Sequence, residues 1–365
     1  MNGPATDLQI ILLTYRTSTL GDEIFESAAR LAERRRGVQL VVAWGGGEGP
    51  GACRWRDEVA AWRRRGADLR LVEHPAPLER VRLALEQPAA WVLHLADDDP
   101  IGVNYLRAMA DGVQAAAPAT SALLASHHVQ DFGPSAAARR LQGWRDPGPT
   151  ERLIPMLARP GEWGTLFWAA YRREVVAAWL GFALELPFQP SYLDQFLPHL
   201  AAIGGPLEVL AEDTVLLKDE RHWQDEAAIA RTNARYCPQP AMALFHEWFW
   251  AADLWDMIQR CERNEALALA MKRWARQMMG YMLERFEQRG RILQLPLDAG
   301  HAAARDRLRP HFEWLAGPDS AAHAPAGMDR LAVAAHALRE DWLAADAAAA
   351  GEPDAARAEH APAAA

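Results

Sequence analysis

From residue 8 to residue 126, short apolar runs alternate with stretches whose apolar residues recur at helical spacing, and few folds accept such a pattern. LQIILLTY at 8–15, VQLVVAW at 38–44, a run near 68–73, WVLHLA at 91–96 and a run at 121–126 read as strands. Between them the spacing predicts helices at 22–36, near 55–65, near 78–87 and from about 104 to 117. In the first helix Ile24, Phe25, Ala28, Ala29, Leu31 and Ala32 share one broad face. Asp22 is placed to cap it, Arg34, Arg35 and Arg36 suit its negative end, and Gly37 stops it. Strands joined in succession by helices imply an α/β domain with a mostly parallel sheet and helices on both faces. Such sheets take ligands at the carboxyl ends of their strands.

The pattern then changes. Residues 127–165 are rich in Pro, Gly and Arg and read as loops, and a helix with mixed strands is expected over 166–222. Beyond about 225 no strand is expected. Residues 241–290 read as helical, with Trp248, Trp250, Trp255, Met257, Trp274, Met278 and Met279 among them. Residues 317–365 are alanine-rich, with one helix expected near 327–346 and a disordered end. The chain of 365 residues therefore divides into 1–225, an α-helical region 226–316 and a tail 317–365.

Composition excludes several classes of function. With 39 basic and 48 acidic residues the net charge is −9, which disfavours nucleic acid as a partner. Only Lys218 and Lys272 are lysines, so 37 of the basic residues are arginines, and a Walker A lysine motif is absent. Cys53, Cys237 and Cys261 lie far apart and form no disulfide framework, which fits a reducing cytoplasm. No apolar run reaches the roughly 18 residues of a membrane span, and MNGPATDLQIILLTY lacks a basic leader region. The expected location is cytoplasmic, free or peripheral to the inner face of the membrane.

The sharpest chemical feature is Asp97-Asp98-Asp99, directly after the apolar run WVLHLA. Three adjacent carboxylates repel one another unless a cation or hydrogen bonds compensate them. A hard divalent ion prefers oxygen ligands, and Mg²⁺ commonly takes one or two carboxylates plus substrate phosphates. A solvated acidic turn before Pro100 is the bland alternative.

At this segment the chain resembles the GT-A glycosyltransferases, in particular those of family 2. WVLHLADDDPIGVNYL is similar to their strand, acidic cluster and following helix with an aromatic-Leu pair, here Tyr105-Leu106. Ala96 stands where the first Asp of the cluster usually does. The resemblance implies metal binding by Asp98, alone or shared with Asp99, with Asp97 standing in for the missing carboxylate at the donor. IILLTYRTSTL resembles the family's opening strand and nucleotide-binding turn, which assigns Thr14, Tyr15 and Arg16 to the donor. Arg80 falls where the family has a diphosphate-contacting arginine. PSYLDQF resembles the motif that supplies the catalytic base, with Asp194 as the base and Leu193 in place of its Glu. VLLKDERHW resembles a closing segment ending in a metal-contacting histidine, here His222. The second strand departs from the family pattern, running into Gly45-Gly46-Gly47 without the acid pair that reads the nucleoside.

What the resemblance implies is a GT-A-like, Rossmann-like sheet with a helical C-terminal region. Its activity would be Mn²⁺- or Mg²⁺-dependent transfer of a sugar from a nucleotide-sugar donor to a hydroxyl of a glycan, a lipid-linked glycan or a small molecule, with inversion. A neutralised diphosphate leaves, and a carboxylate takes the acceptor proton, a contribution of about 10²–10⁴ in rate. Two other readings compete. A sugar nucleotidyltransferase would carry a basic, glycine-rich first loop, which TYRTSTLGDE lacks. A non-catalytic binding protein is favoured by Ala96 and Leu193 at usually acidic positions, with the Trp-rich helices as its working surface or as a homo-oligomer contact. Among weaker signals, Gly47–Ala52 fits GxGxxA but is interrupted by Pro50. His127-His128 reads as structural or substrate-lining, and His246-Glu247 lacks the second histidine of a zincin.

Overall fold

The computed structural model describes residues 6–14, 19–46, 50–96, 103–131, 143–159, 168–187, 192–218, 227, 230, 234, 237, 240–261, 263–280 and 282–351. The chain divides into two compact units, Met1–Gln224 and Asp225–Ala365.

The first unit contains β1 (Thr6–Thr14), α1 (Thr19–Arg34), β2 (Val38–Trp44), α2 (Pro50–Arg64), β3 (Leu69–Glu73) and α3 (Pro77–Ala84). It continues with β4 (Ala89–Ala96), α4 (Val103–Ala115), β5 (Ala122–Asp131), α5 (Pro149–Leu157) and β6 (Ala170–Arg172). It ends with α6 (Arg173–Glu185), α7 (Leu193–Gly204) and β7 (Leu207–Lys218). The seven strands form one sheet in the order β3-β2-β1-β4-β6-β5-β7. All pairings are parallel except those of β6, which runs antiparallel to both β4 and β5. Leu8, Ile10, Ile11 and Leu12 of β1 and Leu40, Val41, Val42 and Ala43 of β2 are fully buried, as expected for central strands covered on both faces.

Most of the expected alternation is present, and the differences have physical causes. α1 begins at Thr19, so Asp22 lies in its first turn and is not its cap. Gly37 does end that helix region, at φ +82, and its carbonyl accepts from the amides of Asp7 and Leu8. α3 stops at Ala84, short of the expected 87. Arg173 donates to the Leu85 carbonyl just beyond it. Arg152 likewise donates to Ala202 and Ile203 in the last turn of α7. The arginine-rich composition thus supplies side-chain caps at helix C-termini.

The stretch 127–165 is not all loop. β5 continues to Asp131 because its backbone pairs with β7 from His127↔Thr214 to Asp131↔Lys218, a ladder that apolar patterning cannot reveal. α5 adds a helix at Pro149–Leu157, with Leu153, Met156 and Leu157 buried.

The second unit holds a 3₁₀ turn (Pro240–Phe245), α8 (His246–Cys261), α9 (Glu265–Met279), α10 (Phe286–Ile292), α11 (Ala299–Ala316) and α12 (Ala324–Gly351). Trp248, Trp255, Met257, Trp274 and Met279 are buried core, while Trp250 and Met278 are half-buried. Among the described residues the exposed large hydrophobics are Leu184 and Val333. The helix expected near 327–346 is α12, and it packs into this unit. Met328, Leu331, Ala335 and Leu338 recur along one buried face. Polar ties fix it to α8. Arg339 Nη1 donates to both Asp253 oxygens at 2.9 and 2.8 Å, and Trp255 Nε1 donates to Asp329 at 2.9 Å. Because Asp253 and Arg339 are both buried, losing either partner would leave an uncompensated charge.

Candidate functional site

The strand order runs β3-β2-β1 in one direction and continues from β4 in the other, so the reversal falls between β1 and β4. A crevice outside the carboxyl ends of the strands is expected at such a point. Leu13 pairs with Ala96 and Thr14 with Trp44, so the carboxyl ends of β1, β2 and β4 lie level. The sequence passes from Ala96 directly into Asp97-Asp98-Asp99. Those three residues, and Tyr15, Arg16 and His222, lie outside the described residues. Thr14, Arg80 and Asp194 lie within them.

Arg80 is fully buried on α3. Its Nη1 donates to the carbonyls of Thr14 at 3.2 Å and Ala43 at 3.3 Å, and the Thr14 carbonyl also accepts from the Gly45 amide at 2.9 Å. One guanidinium therefore ties the carboxyl ends of β1 and β2 together. Thr14 is buried, with its carbonyl committed to these bonds. Arg80→Met is expected to lower the unfolding free energy by about 1–3 kcal/mol, since it leaves buried carbonyls short of donors. Urea denaturation reads this directly, and an unchanged midpoint would remove Arg80 from the support of these strand ends.

Asp194 stands in the first turn of α7, half-buried, where it suits the positive end of the helix. Gln195 Nε2 donates to its Oδ2 at 3.1 Å. Its charge also reaches Tyr171 of β6. Burial first, then Tyr105 and Asp194, hold the Tyr171 hydroxyl well above its ordinary value of 10. Tyr105, in the first turn of α4, donates to the Trp168 carbonyl at 2.6 Å, just before β6. Tyr105 thus ties the start of α4, the helix that follows the acidic triplet in sequence, to the residues that lead into β6, the strand that carries Tyr171. Leu193, at the position the family fills with Glu, is buried, and its carbonyl accepts from Trp179 Nε1 at 2.7 Å. Its role here is core packing. Tyr105-Leu106 is fully buried too, so the aromatic-Leu pair seats α4 on the sheet.

Three buried histidines went unremarked as such in the sequence, because nothing in a run such as WVLHLA marks a titratable group as enclosed. His94 of β4 packs 6.0 Å from Trp179, and burial lowers its pKa to about 4. His199 of α7 is also lowered to about 4 by burial, while its Nδ1 donates to the Gln195 carbonyl at 2.6 Å. His246 in the second unit is lowered to about 4, again chiefly by burial. Each folded pKa lies below the unfolded value of about 6.5, so unfolding takes up protons on acidification. Stability should therefore fall as pH drops from about 6.5 toward 4, and level off below that for these groups. Denaturant titrations across this window test it. A His199→Gln variant that kept the full wild-type slope would exclude His199 from the effect.

The donor set suggested for a metal is oxygen from Asp98 and Asp99, with one imidazole from His222, and such a set fits a hard divalent ion. Among the described residues no group of three or more His, Cys, Asp or Glu side chains could hold a metal. Also among them, no helix is long and apolar enough to cross a membrane. His127 and His128 belong to β5 by their backbone pairing.

In sequence, the chain matches no protein-family model and no curated protein. In structure it is similar to S. aureus TarS residues 1–349, with a TM-score of 0.51 at 14% identity, covering 92% of each chain. The same fragment in complex with UDP-GlcNAc gives a TM-score of 0.52, and in complex with UDP 0.50, each at 14% identity and 92% coverage of both chains. The mixed seven-stranded sheet flanked by helices, followed by a helical C-terminal region, is a GT-A-like fold.

Proposed function

We propose that the protein is a glycosyltransferase that moves a sugar from a nucleotide-sugar to an acceptor hydroxyl with inversion, using Mn²⁺ or Mg²⁺. The observation that carries this reading is the level carboxyl ends of β1, β2 and β4 at the sheet's reversal point, where the chain passes from Ala96 into the acidic triplet in sequence. There Arg80 fixes the ends of β1 and β2. The similarity to a fold solved with UDP and UDP-GlcNAc supports a nucleotide-sugar donor and makes UDP-sugars the first to test.

In this reading Thr14, Tyr15, Arg16, Arg80 and Asp97 form the donor side, and Asp98, Asp99 and His222 hold the metal. The metal would supply Lewis-acid neutralisation of the leaving diphosphate. Asp194 accepts the proton of the acceptor hydroxyl as its oxygen bonds to the anomeric carbon. The bond from that carbon to the diphosphate oxygen breaks, and the nucleoside diphosphate leaves with its electron pair. A carboxylate on the acceptor side favours a single displacement, hence inversion. The acceptor is a glycan, a lipid-linked glycan or a small molecule, and the setting is cytoplasmic.

A panel of nucleotide-sugars incubated with Mn²⁺ or Mg²⁺ and scored for transfer and for donor hydrolysis tests the reading. Turnover of one donor that stops on chelation is the expected result. No turnover and no metal-dependent nucleotide binding across the panel would favour the non-catalytic alternative, for which the buried Leu193 is the specific structural argument.

A further inference from the structure

Two glutamines sit where central strands of a helix-covered sheet are normally apolar. Gln9 of β1 and Gln39 of β2 are in register, and both are buried. Buried amides are costly unless hydrogen-bonded. Here they form a relay. Gln9 Nε2 donates to Gln39 Oε1 at 2.9 Å and to the Ala84 carbonyl at 3.1 Å. Gln39 Nε2 donates in turn to Gln87 Oε1 at 2.7 Å and to Asp68 Oδ1 at 3.2 Å.

The relay ends in a cleft of about 490 Å³ lined by Gln39, Arg63, Asp68, Arg70 and Gln87. It lies at the amino ends of β2 and β3, the opposite end of the sheet from the crevice above. Gln87 is oriented through its carbonyl oxygen, which leaves its NH₂ for the cleft. Arg63, in the last turn of α2, has no hydrogen bond or ion pair among the described residues. Arg70 has one loose contact, Nη2 at 3.6 Å from Glu86, and its Nη1 is a buried nitrogen with no hydrogen bond among the described residues.

We propose that this cleft is a second binding site, for a phosphorylated monosaccharide. Guanidinium forks match phosphate oxygens, and here Arg63 and Arg70 face one cleft. The Gln87 amide and the Asp68 carboxylate supply a donor and an acceptor for ring hydroxyls. The volume falls in the range of about 300–1,000 Å³ that small-molecule sites occupy. The relay explains why polar residues are kept in β1 and β2, since it fixes Gln87 and Asp68 in place. This site does not depend on the transferase reading.

Titration calorimetry on the full chain tests it with glucose 6-phosphate, glucose and inorganic phosphate as separate probes. Glucose 6-phosphate should bind at one saturable site, inorganic phosphate at least tenfold more weakly, and glucose without measurable heat. Arg63→Gln with Arg70→Gln should weaken glucose 6-phosphate binding at least tenfold. Arg63→Gln alone, at an exposed helix end, should weaken it severalfold with no change in melting temperature, which separates binding from folding. UDP with Mn²⁺ should not displace the sugar phosphate. The proposal is overturned by any of four results: no saturable binding, phosphate binding as tightly as the sugar phosphate, unchanged affinity in both variants, or displacement by UDP.

Discussion

Asp98→Ala combined with Asp99→Ala should abolish metal-dependent binding of UDP while leaving the melting temperature close to wild type. The expectation rests on where the triplet begins. β4 ends at Ala96, level with Leu13 of β1, at the end of the sheet where the strand order reverses. The apolar residues that hold β4 in the sheet, Trp91, Val92, Leu93 and Leu95, are all buried upstream of the acidic residues. Replacing two carboxylates beyond them leaves those four apolar residues in place. It removes like-charge repulsion as well as the proposed metal ligands, so the apoprotein should be no less stable. Wild-type affinity for UDP should fall by an order of magnitude or more on chelation, and the double variant should show the low affinity with or without Mn²⁺. Calorimetry with UDP, Mn²⁺ and chelator reads both arms. A double variant that retained metal-enhanced binding would move the metal site away from the triplet.

How far the sequence could be read depended on what kind of interaction fixes each part. β1, β2 and β4 were legible because each is a run of branched apolar residues buried on both faces, and their limits agree with the reading to within a few residues. The extension of β5 to Asp131 was not, because His127, His128, Gln130 and Asp131 join the sheet through backbone pairing with β7. α12 was read as one helix near 327–346 in an alanine-rich tail. Its alanines are good helix formers, and the residues that tie it down, Asp329 and Arg339, look like ordinary surface charges in the sequence. In the site, Arg80 was marked by family position as a ligand contact. Its burial and its bonds to Thr14 and Ala43 come from strands far away in sequence. Tyr171 left no trace, because AYR is a three-residue strand whose meaning lies in its antiparallel place between β4 and β5.

Asp194→Asn should lower kcat by about 10² or more while UDP and metal affinity stay within a few-fold. Asn keeps the shape of the side chain and one acceptor oxygen, so the bond from Gln195 Nε2 can persist and α7 should start as before. What is lost is the charge proposed to accept the acceptor's proton. That charge stands in a partly enclosed place. Asp194 is half-buried, and Tyr171, which is among the groups that feel its charge, is fully buried and resists ionisation. Tyr171 therefore stays neutral across the working pH range and offers no substitute base. Tyr171→Phe serves as the control. It removes a hydroxyl without changing the charge at the site, and should cost far less in kcat than Asp194→Asn. The two effects separate a base from a merely packed neighbour. The product should carry an inverted anomeric centre by NMR, since the base and the leaving diphosphate act on opposite faces of the sugar in a single displacement. A retained centre, or an Asn variant turning over near the wild-type rate, would remove Asp194 from the chemistry and leave the metal assignment standing by itself.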